Sequence, residues 1–101
     1  MGYKLNVTEH ADILLDALVY HLVYRLKNDQ AARHLLDEIV GIYERLENNP
    51  FHICKDEYLA AKGYYEAVFS QMNYIIIFGI KENTVDIVGI FHQLENYLDK
   101  L

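Results

Sequence analysis

The run NYIIIFGI, residues 73–80, decides most of what this chain can become. Tyr74, Ile75, Ile76, Ile77 and Phe78 are apolar at consecutive positions, so in a strand they present hydrophobic side chains to both faces of a sheet. Such a strand belongs in the centre of a sheet, covered on each side. The run is also far short of the roughly 20 apolar residues that a membrane-spanning helix takes. Its neighbours are close: residues 63–70 precede it across Gln71-Met72, and residues 85–91 follow it across Lys81-Glu82-Asn83-Thr84. Links this short predict hairpins, and hence three strands in an antiparallel meander.

The earlier half of the chain reads as the helical cover. Tyr3 to Val7 alternates like a half-buried strand. Thr8 then stands where a helix N-cap belongs, with Glu9 and Asp12 in the first turn. The helix is expected to run to about Lys27, with Ala11, Leu15, Leu18, Leu22 and Leu26 as its apolar stripe. Ile13, Tyr20 and Tyr24 form a second stripe on the opposite side, interrupted by Asp16 and Lys27. Two readings of it stand side by side: a helix wrapped deeply by its own domain, or a surface that receives a partner.

Asn28 and Asp29 can cap a second helix, expected to continue to about Glu47. Ala32, Leu35, Leu36, Ile39, Tyr43 and Leu46 make its apolar stripe, and Arg33, Asp37, Glu44 and Glu47 its polar face. Asn48-Asn49-Pro50 stops it, because proline cannot continue a helix and restricts the residue before it. The turn between the helices is short, which predicts an antiparallel hairpin. Residues 51–62 read as a loop with one helical turn at Glu57 to Ala61, and Gln93 to Leu101 as a short C-terminal helix or tail. The expected fold is α+β, ordered βααβββ, with the helical hairpin on one face of a mostly antiparallel four-stranded sheet and one domain over residues 1–101.

With 52% hydrophobic residues the chain has the material for a core without disulfides, and its one cysteine, Cys54, forbids an internal one. A lone thiol suits a reducing compartment, so a cytoplasmic protein is expected; the thiol reads as structural, although His52 and Lys55 flank it. The N-terminal stretch lacks the basic and apolar regions of a targeting signal, and no membrane association is expected. The formal charge of −6, nine basic residues against fifteen acidic, argues against strong direct nucleic-acid binding, as does the lack of any basic cluster free of acids. His52 with Cys54, and His92 with Glu95, fall short of the four ligands of a structural zinc site, and neither metal nor cofactor is expected. There is no Gly-rich phosphate loop, and no Ser-His-Asp arrangement can be argued.

A set of short pieces, taken in order, carries more information: YKLNVTEHAD at the first strand and helix start, NDQAA at the second helix, LENNP at its end, KGYY, NYIIIF, and VDIVGIFHQLENY at the last strand and its exit. Their order, spacing and total length resemble the RelE/ParE superfamily of toxins from bacterial type II toxin–antitoxin modules, a plasmid-stabilisation-like group, over nearly the whole chain. The resemblance implies a cognate antitoxin whose extended or helical C-terminal segment wraps the toxin. It also implies one of two activities. RelE-like members cut mRNA in the ribosome without a metal; ParE-like members poison DNA gyrase and are not known to be hydrolases.

This chain departs from the family pattern in its cations. Many relatives read Gly-Tyr-Arg where it has Gly63-Tyr64-Tyr65, and carry Arg where it has Gly79 and Gly89. They often end His-Gly-Arg-Arg-Asp-Tyr where it has His92-Gln93-Leu94-Glu95-Asn96-Tyr97. Metal-free cleavage by a 2′-hydroxyl needs a base, an acid and positive charge on the phosphate. Losing one aimed charge typically costs roughly 10²–10³ in rate. His92 and Tyr97 are the retained acid/base candidates, with Tyr65 and Lys62 as the remaining site candidates, so weak or absent ribonuclease activity is expected. The partner-facing candidates are Ile13, Tyr20, Tyr24 and Tyr64. The reading is a toxin-like component nearer the gyrase-directed side. The alternatives are a ribosome-dependent endoribonuclease with a degenerate site, and a non-toxic interaction module that binds an antitoxin or itself as a homodimer.

Overall fold

The computed structural model describes residues 2–50 and 60–92. The order is β1 (Lys4–Val7), α1 (Glu9–Tyr20) running on into a π-helical turn (His21–Arg25), α2 (Asp29–Asn48), β2 (Tyr64–Val68), β3 (Tyr74–Lys81) and β4 (Thr84–His92). This is the βααβββ order expected. Tyr97, Cys54 and the C-terminal tail lie outside the described residues, as does most of the helical turn expected at Glu57 to Ala61; its last residues, Ala60 and Ala61, are helical.

Both helices begin where their capping side chains dictate. Thr8 Oγ1 accepts from the Ala11 amide at 3.2 Å and donates to the Ile87 carbonyl at 2.8 Å, so the cap of α1 also ties the helix to β4. Asn28 Oδ1 accepts from the Ala31 amide at 3.0 Å. Lys27 takes a left-handed φ of 50°, which lets the chain reverse between the helices over Leu26, Lys27 and Asn28.

The four strands lie in the order β1-β4-β3-β2. β2–β3 and β3–β4 are antiparallel hairpins; β1 joins the edge parallel to β4, which the helical crossover between β1 and the meander allows. The two hairpin links differ from their expected lengths. Lys81 pairs with Thr84, so the β3–β4 turn is only Glu82-Asn83, with Glu82 at a φ of 56°. The β2–β3 link is longer, residues 69–73, closed by the Phe69 amide donating to the Tyr74 carbonyl at 3.1 Å. Phe69 leaves the ladder because its ring is buried in the core.

β3 behaves as its composition demands. Ile76 and Phe78 face the main core, where they meet Ala11 and Leu22 from the first helical segment and Ala32, Leu35, Ile39, Ile42 and Leu46 from α2. Ile75 and Ile77 face the other way and form a second cluster with Phe91, joined by Leu14 and Tyr64. A bulge keeps β4 in step: Ile77 pairs with Gly89 but Phe78 with Ile87, leaving Val88 as the extra residue. Ile87 and Ile90, three apart, therefore both reach the main core. Two residues of the expected helical stripes do not. Leu26 caps the π-turn at the hairpin's tip and is exposed, and Leu36 gives way to Ile42 on the buried side of α2.

Candidate functional site

Two regions compete as the site: the end of the sheet around His92, and the outward side of the helical hairpin. His92 ends β4 opposite Tyr74. Their rings meet edge-on, centroids 5.6 Å apart at 84°, and Tyr74 in turn lies edge-on to Phe69 at 5.9 Å. His92 thus closes an aromatic row on the helix-covered side of the sheet.

Tyr65 and Lys62 lie elsewhere. Tyr65 is opposite Phe78, with the rings stacked at 5.6 Å and 17°. Phe78 is four residues along β3 from Tyr74, and β2 is two strands from β4. At ordinary strand dimensions, that separates the Tyr65 and His92 backbones by roughly 16 Å. Lys62 precedes β2 at the same far end, where Lys4 and Lys81 both pair with Thr84. A general base must come within hydrogen-bond reach of the proton it takes. The strand register does not bring His92, Tyr65 and Lys62 around one phosphate. Tyr97 is outside the described residues.

The two glycines that stand where the resemblance implies arginine are not equivalent. Both fall on the sheet face away from the main core, Gly79 beside Tyr64 and Gly89 beside Ile77. A Cβ at Gly79 would meet nothing within 4 Å. A Cβ at Gly89 would stand 2.6 Å from the Phe91 ring and 3.1 Å from Leu14. The second apolar cluster has therefore closed over the place of that cation. The same face carries buried Glu66, paired with Ile77, and Asp86, paired with Gly79 and accepting from Asn6 Nδ2 at 2.9 Å. Acidic groups on this face oppose a phosphate instead of drawing it in.

The helical hairpin is different. Ile13, Tyr20 and Tyr24 are 58%, 60% and 64% exposed, so the second stripe of the first helix is a surface and not a wrapped core. Tyr20 and Tyr24 touch each other, with ring centroids 4.9 Å apart. The π-helical turn holds more residues per turn than an α-helix, which sets Tyr24 back towards α2. An open groove of ≈ 420 Å³ results, lined by Leu15, Asp16, Val19, Tyr20, Tyr24 and Leu36. Val40, one turn along α2 from Leu36, is 56% exposed and extends the apolar strip. At the base of the hairpin Tyr43 faces Asp12: burial first, and then that carboxylate, pushes the tyrosine hydroxyl above its usual 10.

The sequence reading found Ile13, Tyr20 and Tyr24 but missed the contribution of α2. The signal was there. Leu35-Leu36 and Ile39-Val40 are adjacent apolar pairs, and both members of such a pair cannot face one core from a helix. Tyr64, the fourth partner-facing candidate, packs half-buried against the second cluster, away from this groove.

Among the described residues, no helix is long and apolar enough to cross a membrane, and no group of three or more His, Cys, Asp or Glu is placed to hold a metal ion. Comparison with known proteins bears on the fold and the family. The family model described as ParE toxin of the type II toxin–antitoxin system parDE matches residues 5–97. A chain solved in "Chromosomal ParDE TA system from P. aeruginosa" superposes with a TM-score of 0.72 at 22% identity, covering 89% of this chain and 95% of that one. At this identity the superposition speaks for the fold alone. No curated protein matches the chain.

Proposed function

Because the chain belongs to the ParE toxin family of type II toxin–antitoxin systems, we propose that it is a toxin held in check by a cognate antitoxin on the open side of its helical hairpin. We read its action as gyrase-directed and cytoplasmic, not as RNA cleavage. The observation that carries this reading is a contrast. The hairpin exposes large apolar side chains around a groove, Tyr20, Tyr24 and Leu36 among them. A contiguous apolar patch of this kind marks an interaction site. The His92 end of the sheet, by comparison, lacks the convergent charge that metal-free cleavage requires. Aromatic residues such as Tyr20 and Tyr24 are also the types that anchor interfaces.

The test is expression of the chain alone and together with the product of the adjacent reading frame. Growth arrest relieved by that product, and unchanged by His92→Ala, is the expected result. Normal growth on strong soluble expression overturns the toxin reading and leaves the non-toxic interaction module. A second reading, the ribosome-dependent endoribonuclease, rests on His92 at the strand end with Tyr97 as its acid/base partner. It requires that His92→Ala and Tyr97→Phe each abolish toxicity and mRNA cleavage.

A further inference from the structure

The groove on the hairpin is apolar at its floor and acidic at its edges. Helical spacing places Glu9, Asp12 and Asp16 on the side of the first helix that turns towards α2. It places Asp37, Glu44 and Glu47 on the facing side of α2, all six exposed. Arg33 is the base that the same spacing puts among them; Arg25 and Arg45 project from the opposite sides of their helices. The chain's overall charge of −6 is thus concentrated beside its most exposed apolar strip.

We infer that the segment seated in this groove is an amphipathic helix whose apolar stripe is flanked by lysine and arginine. A trough between two packed helices accepts a third helix, ridges into grooves, and has no unpaired backbone to offer an extended strand. From Ile13 to Tyr24 the trough is about 16 Å long, enough for three turns with anchors at i, i+3 or i+4, and i+7. Single rim charges contribute little in water, but together they set the sign of the attraction and raise the on-rate. A second copy of this chain would bring one acidic rim against another, so charge selects a basic partner over self-association. This inference deepens the antitoxin reading by naming the chemistry of the partner's docking segment, and rests on that reading only for the partner's identity.

Two probes separate the claims. The first is a pair of synthetic amphipathic peptides of about 14 residues, with leucines at the anchor spacing and flanks all lysine or all glutamate, titrated onto the full chain. The lysine-flanked peptide is expected to bind at least about tenfold tighter at roughly 50 mM salt, and the advantage to shrink at roughly 300 mM. Arg33→Glu strengthens its binding, and the double variant Tyr20→Ala/Tyr24→Ala removes it. Equal binding of the two peptides overturns the inference. So does a lysine preference that survives loss of both tyrosines, and so does a homodimer that Tyr20→Ala dissociates.

The second probe is the product of the adjacent reading frame. If it binds and the triple variant Asp16→Lys/Asp37→Lys/Glu44→Lys leaves its affinity within about twofold, the charge inference falls and the antitoxin reading stands. If it does not bind the unaltered chain, the antitoxin reading falls and the peptide pair alone decides.

Discussion

Two apolar surfaces of this molecule are built from similar residues and have opposite fates. On the far side of the sheet, Ile75, Ile77 and Phe91 are almost wholly buried, and the Phe91 ring lies over Gly89 so closely that not even a methyl group fits. On the hairpin, Tyr20, Tyr24, Leu36 and Val40 stay open around a groove. The first surface is finished within the chain; the second still has contacts to make. The family resemblance would put cations on the first, and this chain has put a closed cluster there. What remains available for recognition has moved the weight of function from the sheet to the helices.

Substitution in neighbouring positions gives the strongest way to break this contrast. Leu35 and Leu36 are adjacent, one fully buried and the other 42% exposed. Leu35→Ala is expected to cost about 2–5 kcal/mol in chemical denaturation, and Leu36→Ala less than about 1 kcal/mol. Similar losses at both would mean that the outer strip is part of the core.

The glycine pair sharpens the other side of the comparison. Gly89→Ala is expected to destabilise by about 1–3 kcal/mol, because the Phe91 ring is buried and cannot swing away freely. Gly79→Ala should be neutral or stabilise by up to about 1 kcal/mol, since the position is open and its φ suits any residue. An arginine introduced at Gly79 should therefore fold, and one at Gly89 should not, as thermal melts of the two variants will report.

A smaller effect concerns how the hairpin is held to the sheet. Glu38 of α2 accepts from the Ser70 and Gln71 amides, each at 3.1 Å, and so clamps the β2–β3 link. Glu38→Gln weakens these charge-assisted bonds and should lower stability by about 1 kcal/mol, while peptide binding in the groove stays unchanged. The smallest effect lies at high pH. The folded-state pKa of Tyr43 is raised, so its contribution is fully present below pH 10 and is lost as pH rises through the folded value. Tyr43→Phe should flatten that part of the alkaline loss measured by denaturant melts at stepped pH.

The sequence by itself determined the element order, both N-caps and the central place of β3. Each follows from local rules: Thr8 and Asn28 cap the turns that follow them, and an apolar run on both strand faces has to lie inside a sheet. It also named Ile13, Tyr20 and Tyr24, since a stripe opposite the core-facing one needs no tertiary contact to be seen. Only the tertiary structure decided whether that stripe was covered, which member of each leucine or Ile-Val pair on α2 faced inward, and that β1 runs parallel to β4. It alone separated Tyr65 and Lys62 from His92, because distance across a sheet is set by register, and register is a property of strands from opposite ends of the chain. For the same reason no reading of Gly89 as a missing arginine could show that the place was filled: the ring that fills it belongs to Phe91, turned by a bulge that only pairing with β3 creates.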